Sequence, residues 1–181
     1  MFKYGEIVDV EDIVEVAKAL STRASMLSKV VLGDQKFLNC SGSSVYGKHH
    51  FGSGGLLAHT MEVINLCGVI TKVFPVKVDR EVLFLAALWH DYGKCWDYTK
   101  NGPGDFDWVV TDHYNLISHI NRSAVEWIRA CERFSINSEL QDKVLHCILA
   151  HHGSAGPVIP QTKEAWILHC SDLTSARVNE V

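Results

Sequence analysis

The chain contains an ordered series of histidines and aspartates of the kind that hold metal ions. They are His59, His90, Asp91, His119, His151, His152 and Asp172. Imidazole and carboxylate groups are the ligands expected for divalent transition metals such as Mn, Fe, Ni, Co or Zn. Because the carboxylate of Asp91 has two oxygens, this residue could bridge two ions. The residue types therefore predict a metal centre.

Each of five predicted helices carries one of these groups on an apolar face, because residues three or four positions apart share one face of a helix. Two examples are the stripes Leu56, His59, Val63 and Ala165, Leu168, Asp172. Any single histidine of this kind has an ordinary explanation, as a buried imidazole that hydrogen-bonds a carbonyl. Leaving a buried polar group without a partner costs roughly 1 to 3 kcal/mol. A metal would satisfy all of these groups at once.

The elements that must position this series are helices, since apolar residues recur at intervals of three and four and no clear alternation of period two occurs. We predict an all-α fold with helices over residues 10–21, 55–74, 79–90, 115–134, 138–150 and 162–179. Residues 21–55 are expected to form a loop or a set of short helices, and residues 98–112 a loop.

Short polar side chains are expected to cap the N-termini of these helices, at Asp9, Asp79, Ser138 and Thr162. Ser138 and Gln141 have the spacing of a capping box. Pro75 should end the second helix. Gly93 should end the third in the left-handed conformation that glycine accepts.

Composition indicates one globular domain. The chain has 181 residues, 47% hydrophobic and 21% charged. Its six cysteines include no C-x-x-C pair, which argues against a disulfide framework or a zinc ribbon.

A net charge of −4 without a basic stripe favours a small phosphorylated ligand or a single-stranded nucleic-acid end over a long nucleic-acid backbone. The acidic N-terminus is unlike a signal peptide and no apolar run approaches roughly 20 residues, so we expect a cytoplasmic protein without membrane contact.

Several segments of the chain resemble the HD superfamily of metal-dependent phosphohydrolases, especially its two-metal branches. The segments AALWHDYGK, LISHI and ILAHHG are similar to the HD domain of the YhaM-type 3′-to-5′ exoribonucleases and related stand-alone proteins. The resemblance covers residues 37–178, which leaves residues 1–36 as an N-terminal helical extension of a single domain. It implies a helical bundle with the metal site in its core.

The resemblance also implies roles for individual residues. The first metal would be held by His59, His90, Asp91 and Asp172, and the second by Asp91, His119, His151 and His152. Asp91, Lys94 and His152 would be catalytic, and Lys94, His49 and His50 would contact substrate. The family's exonucleases carry an N-terminal OB-type domain, whereas about 36 residues precede the match here, so processive RNA degradation is not expected.

The sequence positions of Lys94 and of the pair His49 and His50 also support their roles. Lys94 lies three residues after Asp91 and is placed to reach a phosphate oxygen; the alternative is an exposed lysine at a helix end. His49 and His50 lie in a Gly- and Ser-rich segment that could fold over the site. The remaining histidines have no matching motif and are assigned structural or surface roles: His113, His146 and His169.

The series predicts hydrolysis of a phosphodiester or phosphomonoester in a nucleotide-like substrate by a metal-bound hydroxide. Two other interpretations of the function stay open. A few HD proteins use such ligands to hold two irons that activate dioxygen, and a non-catalytic, nucleotide-binding regulatory domain could retain the metal as a structural centre.

Overall fold

The structure is a computed structural model that describes residues 7, 9–43, 45–74 and 76–180. The helices are α1 Val10–Leu20, α2 Thr22–Leu32, α3 Gln35–Asn39, α4 Gly55–Val73, α5 Arg80–Trp89, α6 Lys94–Asp97, α7 Asp112–Leu116, α8 His119–Arg133, α9 Ser138–Ala150 and α10 Lys163–Val178. A 3₁₀ turn covers Gly153–Ala155, and two short strands are β1 Tyr98–Lys100 and β2 Trp108–Val110. The predicted all-α class is confirmed.

Helix α5 lies at the centre of the fold. Every residue from Val82 to Trp89 is buried, and α5 contacts α1, α2, α4, α9 and α10. A helix that is apolar on all sides must be surrounded by protein. The two residues that follow α5, His90 and Asp91, are therefore delivered to the interior, where they are 0% and 1% exposed.

The segment predicted as a loop over residues 98–112 is instead mostly a β-hairpin. Strands β1 and β2 pair antiparallel, with Thr99 opposite Val109. The turn between them is held by Asp107, whose Oδ2 accepts a hydrogen bond of 2.7 Å from the Gly104 N–H. Three-residue strands are too short for an alternating pattern to show in the sequence, which explains the wrong prediction.

The helix predicted over residues 115–134 is broken. Helix α7 ends at Leu116, and α8 begins at His119 after Ser118, whose φ is +67°. The amide groups of Ile117 and Ser118 both donate to the carbonyl of His113, at 2.9 and 3.0 Å. His119 is thus the first residue of a helix rather than an interior residue.

Helix caps follow the predictions at three of the four positions. Asp9, Asp79 and Thr162 each accept a hydrogen bond from an amide of the first turn. The cap of α9 is Asn137, which accepts from the Leu140 amide at 3.0 Å, so the prediction of Ser138 is wrong by one residue. Pro75 lies outside the described residues, and α4 ends at Val73.

Gly93 does not adopt the predicted left-handed conformation, since its φ is −60°. Glycine is needed there for a different reason. A Cβ on Gly93 would collide with the backbone carbonyl of His119. The Gly93 amide also donates to the Ser123 hydroxyl at 2.8 Å. This close approach anchors the start of α8 against the turn that follows Asp91.

The stretch predicted as a loop or short helices contains α2 and α3, followed by a loop over residues 40–43 and 45–54. Helix α4 is long and apolar enough to cross a membrane, with 19 residues and a mean hydropathy of 1.3. The expectation that no run reaches this length is therefore wrong. One such helix says little about a membrane, because a core helix passes the same test, and α4 packs against α5 and α10.

Candidate metal centre

The predicted ligands lie at helix ends and on inward faces that meet beside the end of α5. His59 lies on the buried face of α4, and Asp172 lies on α10. His90 and His151 occupy the C-terminal cap positions of α5 and α9, and His119 begins α8. The structure brings all seven predicted residues together, in two groups that share Asp91.

The first group, called the first half-site, consists of His59, His90, Asp91 and Asp172. Nε2 of His59 lies 3.1 Å from Oδ1 of Asp172, and 3.4 Å from Oδ2 of Asp91. Nε2 of His90 lies 3.4 Å from the same Asp91 oxygen and 3.3 Å from Nε2 of His59. Ligand atoms at about 2.0 to 2.2 Å around a tetrahedral ion are separated by about 3.3 to 3.6 Å. The spacing of these atoms fits one metal ion.

The second group, called the second half-site, consists of Asp91, His119, His151 and His152. The other oxygen of Asp91, Oδ1, lies 3.5 Å from Nε2 of His119 and 3.6 Å from Nε2 of His151. The ring of His152 lies 4.3 Å from that of His151, between centroids. One potential ligand atom from each residue lies within 4.8 Å of the others.

Unpartnered atoms test whether a cation fits the second half-site. Of the buried side-chain atoms in the described residues, few lack a hydrogen-bond partner, and these include Asp91 Oδ1, His119 Nε2 and His151 Nε2. An unsatisfied buried polar atom costs about 1 to 3 kcal/mol. Three such atoms that face one another are explained by a cation bound between them, so the residues present fit a metal ion.

The opposite ring nitrogens show which atom of each imidazole is free to bind. Nδ1 of His90 donates to the Ala87 carbonyl at 2.8 Å, and Nδ1 of His151 donates to the Ile148 carbonyl at 2.6 Å. A carbonyl oxygen only accepts, so Nδ1 carries a proton in either charge state of the ring, and Nε2 is the nitrogen left for a metal. Metal-binding histidines are oriented in the same way by their outer hydrogen bonds.

Electrostatics differ between the two half-sites. Burial opposes charge on His90, but the carboxylates of Asp91 and Asp172 raise its pKa to about 10. Burial also opposes charge on Asp91, yet Lys94 and His90 hold its pKa well below the usual range. In the second half-site burial lowers the pKa of His152 to about 3. His152 is therefore neutral at pH 7, which is the form that binds metal.

Lys94 is buried, so the alternative of an exposed lysine at a helix end is wrong. Its exposure is 8%, and its Nζ lies 2.6 Å from Asp91 Oδ2 and donates to the Gly42 carbonyl at 2.9 Å. The neighbouring Asp91 carboxylate raises the pKa of Lys94 despite its burial. Lys94 thus keeps the shared carboxylate ionised.

His49 and His50 lie over the first half-site. Their ring centroids are 5.8 and 5.2 Å from that of His59. Nε2 of His50 lies 3.2 Å from Oε1 of Glu62. Burial lowers the pKa of His49 to about 4, so its imidazole is neutral at pH 7. Their contact with substrate stays a prediction.

Sequence reasoning missed three polar residues that surround the ligands, namely Ser175, Glu62 and Asp97. Ser175 lies 3.0 Å from Nδ1 of His59, and its hydroxyl donates to Glu62 at 2.8 Å. Asp97 lies beside His119. Asp97 follows Asp91 and Lys94 at intervals of three, a helical spacing that the sequence does display. Ser175 lies three residues after Asp172 on α10, which is a weaker signal.

The other three histidines belong to neither half-site, and each hydrogen-bonds a different polar group. Nδ1 of His169 donates to the His151 carbonyl at 2.7 Å, and Nε2 of His146 accepts from the Gln161 amide at 3.0 Å. Nδ1 of His113 lies 2.6 Å from Oδ1 of Asp97. His169 and His113 therefore belong to the surroundings of the centre.

A cavity of about 280 Å³ opens beside the centre. Both half-sites contribute to its wall, through Asp172 of the first and His151 and His152 of the second. Lys48 and Arg177 also line it and bring positive charge, while Glu180 lies 2.8 Å from the Arg177 guanidinium. Ligand pockets for small molecules start at about 300 Å³. The cavity therefore suits a small group, such as a phosphate with its sugar.

The fold and the centre define a helical protein with a histidine- and aspartate-rich metal site in its core. The family model that matches is the HD domain, over residues 56–177. The chain belongs to the HD domain family, and the resemblance seen in the sequence is confirmed. Members of this family bind divalent metals.

Curated relatives with similar sequences include two kinds of enzyme. The chain is 35% identical to the 3′-5′ exoribonuclease YhaM of Bacillus subtilis, over 72% of this chain and 41% of the relative. It is 28% identical to the dihydroneopterin 2′,3′-cyclic phosphate phosphodiesterase of Methanocaldococcus jannaschii, over 74% of this chain and 51% of the relative. The chain thus spans about half the length, or less, of these relatives. No solved structure matches it significantly.

Proposed function

We propose that this chain is a metal-dependent phosphohydrolase that cleaves a phosphodiester or phosphomonoester of a nucleotide or of an oligonucleotide end. The observation that carries this proposal is the position of Asp91. Its Oδ2 faces His59 and His90, and its Oδ1 faces His119 and His151, so one buried carboxylate joins two sets of ligands. Relatives that are an exoribonuclease and a cyclic phosphate phosphodiesterase support the same chemistry.

We assign the ligands of two divalent ions, drawn from Mn, Fe, Ni, Co or Zn. The first ion would be held by His59, His90, Asp91 and Asp172, and the second by Asp91, His119, His151 and His152. Such a pair supplies a hydroxide nucleophile at neutral pH and neutralises charge on a phosphoryl group.

The remaining residues prepare the site for an anionic substrate. Lys94, paired with Asp91 at 2.6 Å, keeps that carboxylate deprotonated and offers positive charge beside the phosphate position. Lys48 and Arg177 attract anions to the cavity. His49 and His50 are neutral or weakly basic contacts for a phosphate ester, because burial lowers the pKa of both imidazoles. A cavity of this size admits the phosphate and sugar of a mononucleotide or of the end of a strand.

The test is turnover by protein reloaded with one metal at a time. Protein stripped with a chelator is incubated with Mn, Fe, Co, Ni or Zn and with bis(p-nitrophenyl) phosphate, p-nitrophenyl phosphate or short oligoribonucleotides. We expect hydrolysis of at least one ester and its loss in Asp91→Asn. The matched control is Asp142→Asn, because Asp142 is an exposed aspartate on α9. No turnover with any metal refutes the proposal, and oxygen uptake by iron-loaded protein supports the di-iron oxygenase instead.

A further inference from the structure

A buried carboxylate outside the predicted ligand set contacts two histidines near the second half-site. Asp97 is the last residue of α6 and is fully buried. Its Oδ1 lies 2.6 Å from Nδ1 of His113, and its Oδ2 lies 3.4 Å from Nδ1 of His119. Both of the latter atoms, Asp97 Oδ2 and His119 Nδ1, count among the described buried atoms that lack a hydrogen bond.

The position of the protons in this group follows from Arg122. Nε of Arg122 donates to Nε2 of His113 at 3.0 Å. A guanidinium has donors but no acceptor, so Nε2 of His113 must accept and its proton must lie on Nδ1. That proton is donated to Oδ1 of Asp97, which leaves His113 neutral and Oδ2 free to face His119.

The same assignment of protons determines which nitrogen of His119 faces the metal centre. Oδ2 of Asp97 is an acceptor, so a favourable contact requires a proton on Nδ1 of His119. The lone pair of His119 then lies on Nε2, which faces Asp91 Oδ1 at 3.5 Å. Two acceptors that face each other across this distance repel unless a cation lies between them. The hydrogen bonds from Arg122 to His113 and from His113 to Asp97, followed by the 3.4 Å contact between Asp97 and His119, therefore prepare His119 to bind metal.

The break between α7 and α8 is what allows both histidines to reach Asp97. On a continuous helix two residues six positions apart point about 120° apart around the axis, so His113 and His119 would point to different sides. The positive φ of Ser118, at +67°, interrupts the helix between them. Strained backbone of this kind persists where the surrounding structure requires it, and Gly93 packs directly against His119.

We propose that Asp97 is a positioning residue for the second half-site: supported by His113 and Arg122, it sets the orientation and tautomer of His119 and thereby the affinity for the second ion. This inference rests on the two-ion assignment made above. Outer carboxylates that bind a metal-ligating histidine typically change metal affinity by about 10- to 100-fold, and Asp97 is expected to act within that range.

The experiment measures metal binding rather than turnover. Metal-free protein is titrated with Mn²⁺ and the free ion is followed by electron paramagnetic resonance. The wild type should bind two ions. Asp97→Asn preserves the size of the side chain and should weaken the second ion about 10- to 100-fold, while the first changes less than about threefold. The Co²⁺ absorption spectrum of the second site should change as well.

Two further variants separate positioning from general stability. His113→Phe removes the hydrogen bond to Asp97 and should weaken binding of the second ion by a smaller factor than Asp97→Asn does. This variant also tests the inference if Asp97→Asn does not fold. Glu81→Gln is the control, because Glu81 pairs with Arg23 at 2.7 Å, on helices that carry neither Asp97 nor His119. It should leave both ions unchanged.

Unchanged binding of the second ion in Asp97→Asn and His113→Phe overturns the inference, as does equal weakening of both ions. A wild type that binds a single ion also overturns it. Hydrolysis by such a one-ion protein would still support the proposed function, whereas binding of two ions without hydrolysis would refute the function and leave the inference standing.

Discussion

The two half-sites differ in charge and in burial. The first contains two carboxylates and two imidazoles, of which His59, His90 and Asp91 are buried and the Asp172 side chain is 14% exposed. Their polar atoms lie 3.1 to 3.7 Å apart. The second shares one carboxylate oxygen among three imidazoles, of which His119 and His152 are only partly buried. Two carboxylates offset the charge of a divalent ion better than one shared oxygen does. We therefore expect the first ion to bind more tightly.

This difference also shows how each half is organised without metal. In the first half-site, Nε2 of His59 and Nε2 of His90 lie 3.1 to 3.7 Å from carboxylate oxygens of Asp91 and Asp172, so these polar atoms already face partners. In the second, Asp91 Oδ1 and the facing Nε2 atoms of His119 and His151 lack hydrogen bonds. Polar groups that already have partners define a rigid site, whereas buried polar groups without a hydrogen-bond partner gain most free energy from binding an ion. The second half-site should thus respond more strongly to its surroundings.

The largest effect is expected from Asp91→Ala, because Asp91 is the one residue common to both groups. The variant should lose both ions and all measurable hydrolysis, a larger loss than the roughly 100-fold seen for outer residues. Metal content by mass spectrometry and turnover of an aryl phosphodiester measure it. Retention of either ion at wild-type affinity would contradict the idea that one carboxylate serves both half-sites.

A smaller and more selective effect is expected from single histidines. His119→Ala should remove the second ion and keep the first, whereas His59→Ala should weaken the first, since its Nε2 faces Asp172 and Asp91. Stoichiometry from isothermal titration distinguishes the two variants. If both variants lose the same ion, the division into two half-sites is wrong.

The smallest effect is expected from Ser175→Ala, which removes the partner of His59 Nδ1. Affinity for the first ion should fall by about 10-fold, and stability should fall by about 1 kcal/mol. Ser171→Ala is the matched control, because Ser171 is equally buried one turn earlier on α10 and contacts Cys67. Equal losses of metal affinity in both variants would show that Ser175 acts through packing alone.

Much of the centre could be predicted because its signal is local. Polar residues such as His59 and Asp172 stand out on apolar helix faces, and the caps at Asp9 and Thr162 follow from residue type. The hairpin after Tyr98 and the break at Ser118 could not be predicted in this way. Strands of three residues show no period, and an apolar pattern continues across a break without a change of spacing.

Asp97 was missed because its role depends on contacts that no local sequence pattern shows. Its sequence position is that of an ordinary polar residue at a helix end, and its meaning depends on His113 and His119, which reach it only because α7 and α8 are separate. A contact between residues far apart in sequence leaves no periodic trace in either segment. The sequence displayed the residue but not its partners.

By itself the sequence determined which ionisable groups exist and which helix faces carry them, since side-chain type and helical period are properties of each segment. Only the tertiary structure decided that Oδ2 of Asp91 faces His59 and His90 while Oδ1 faces His119 and His151. The two Asp91 oxygens face different histidines because α5 is buried on all sides. Its C-terminal end therefore lies where α4, α8, α9 and α10 converge. The packing of those helices sets which oxygen each imidazole faces.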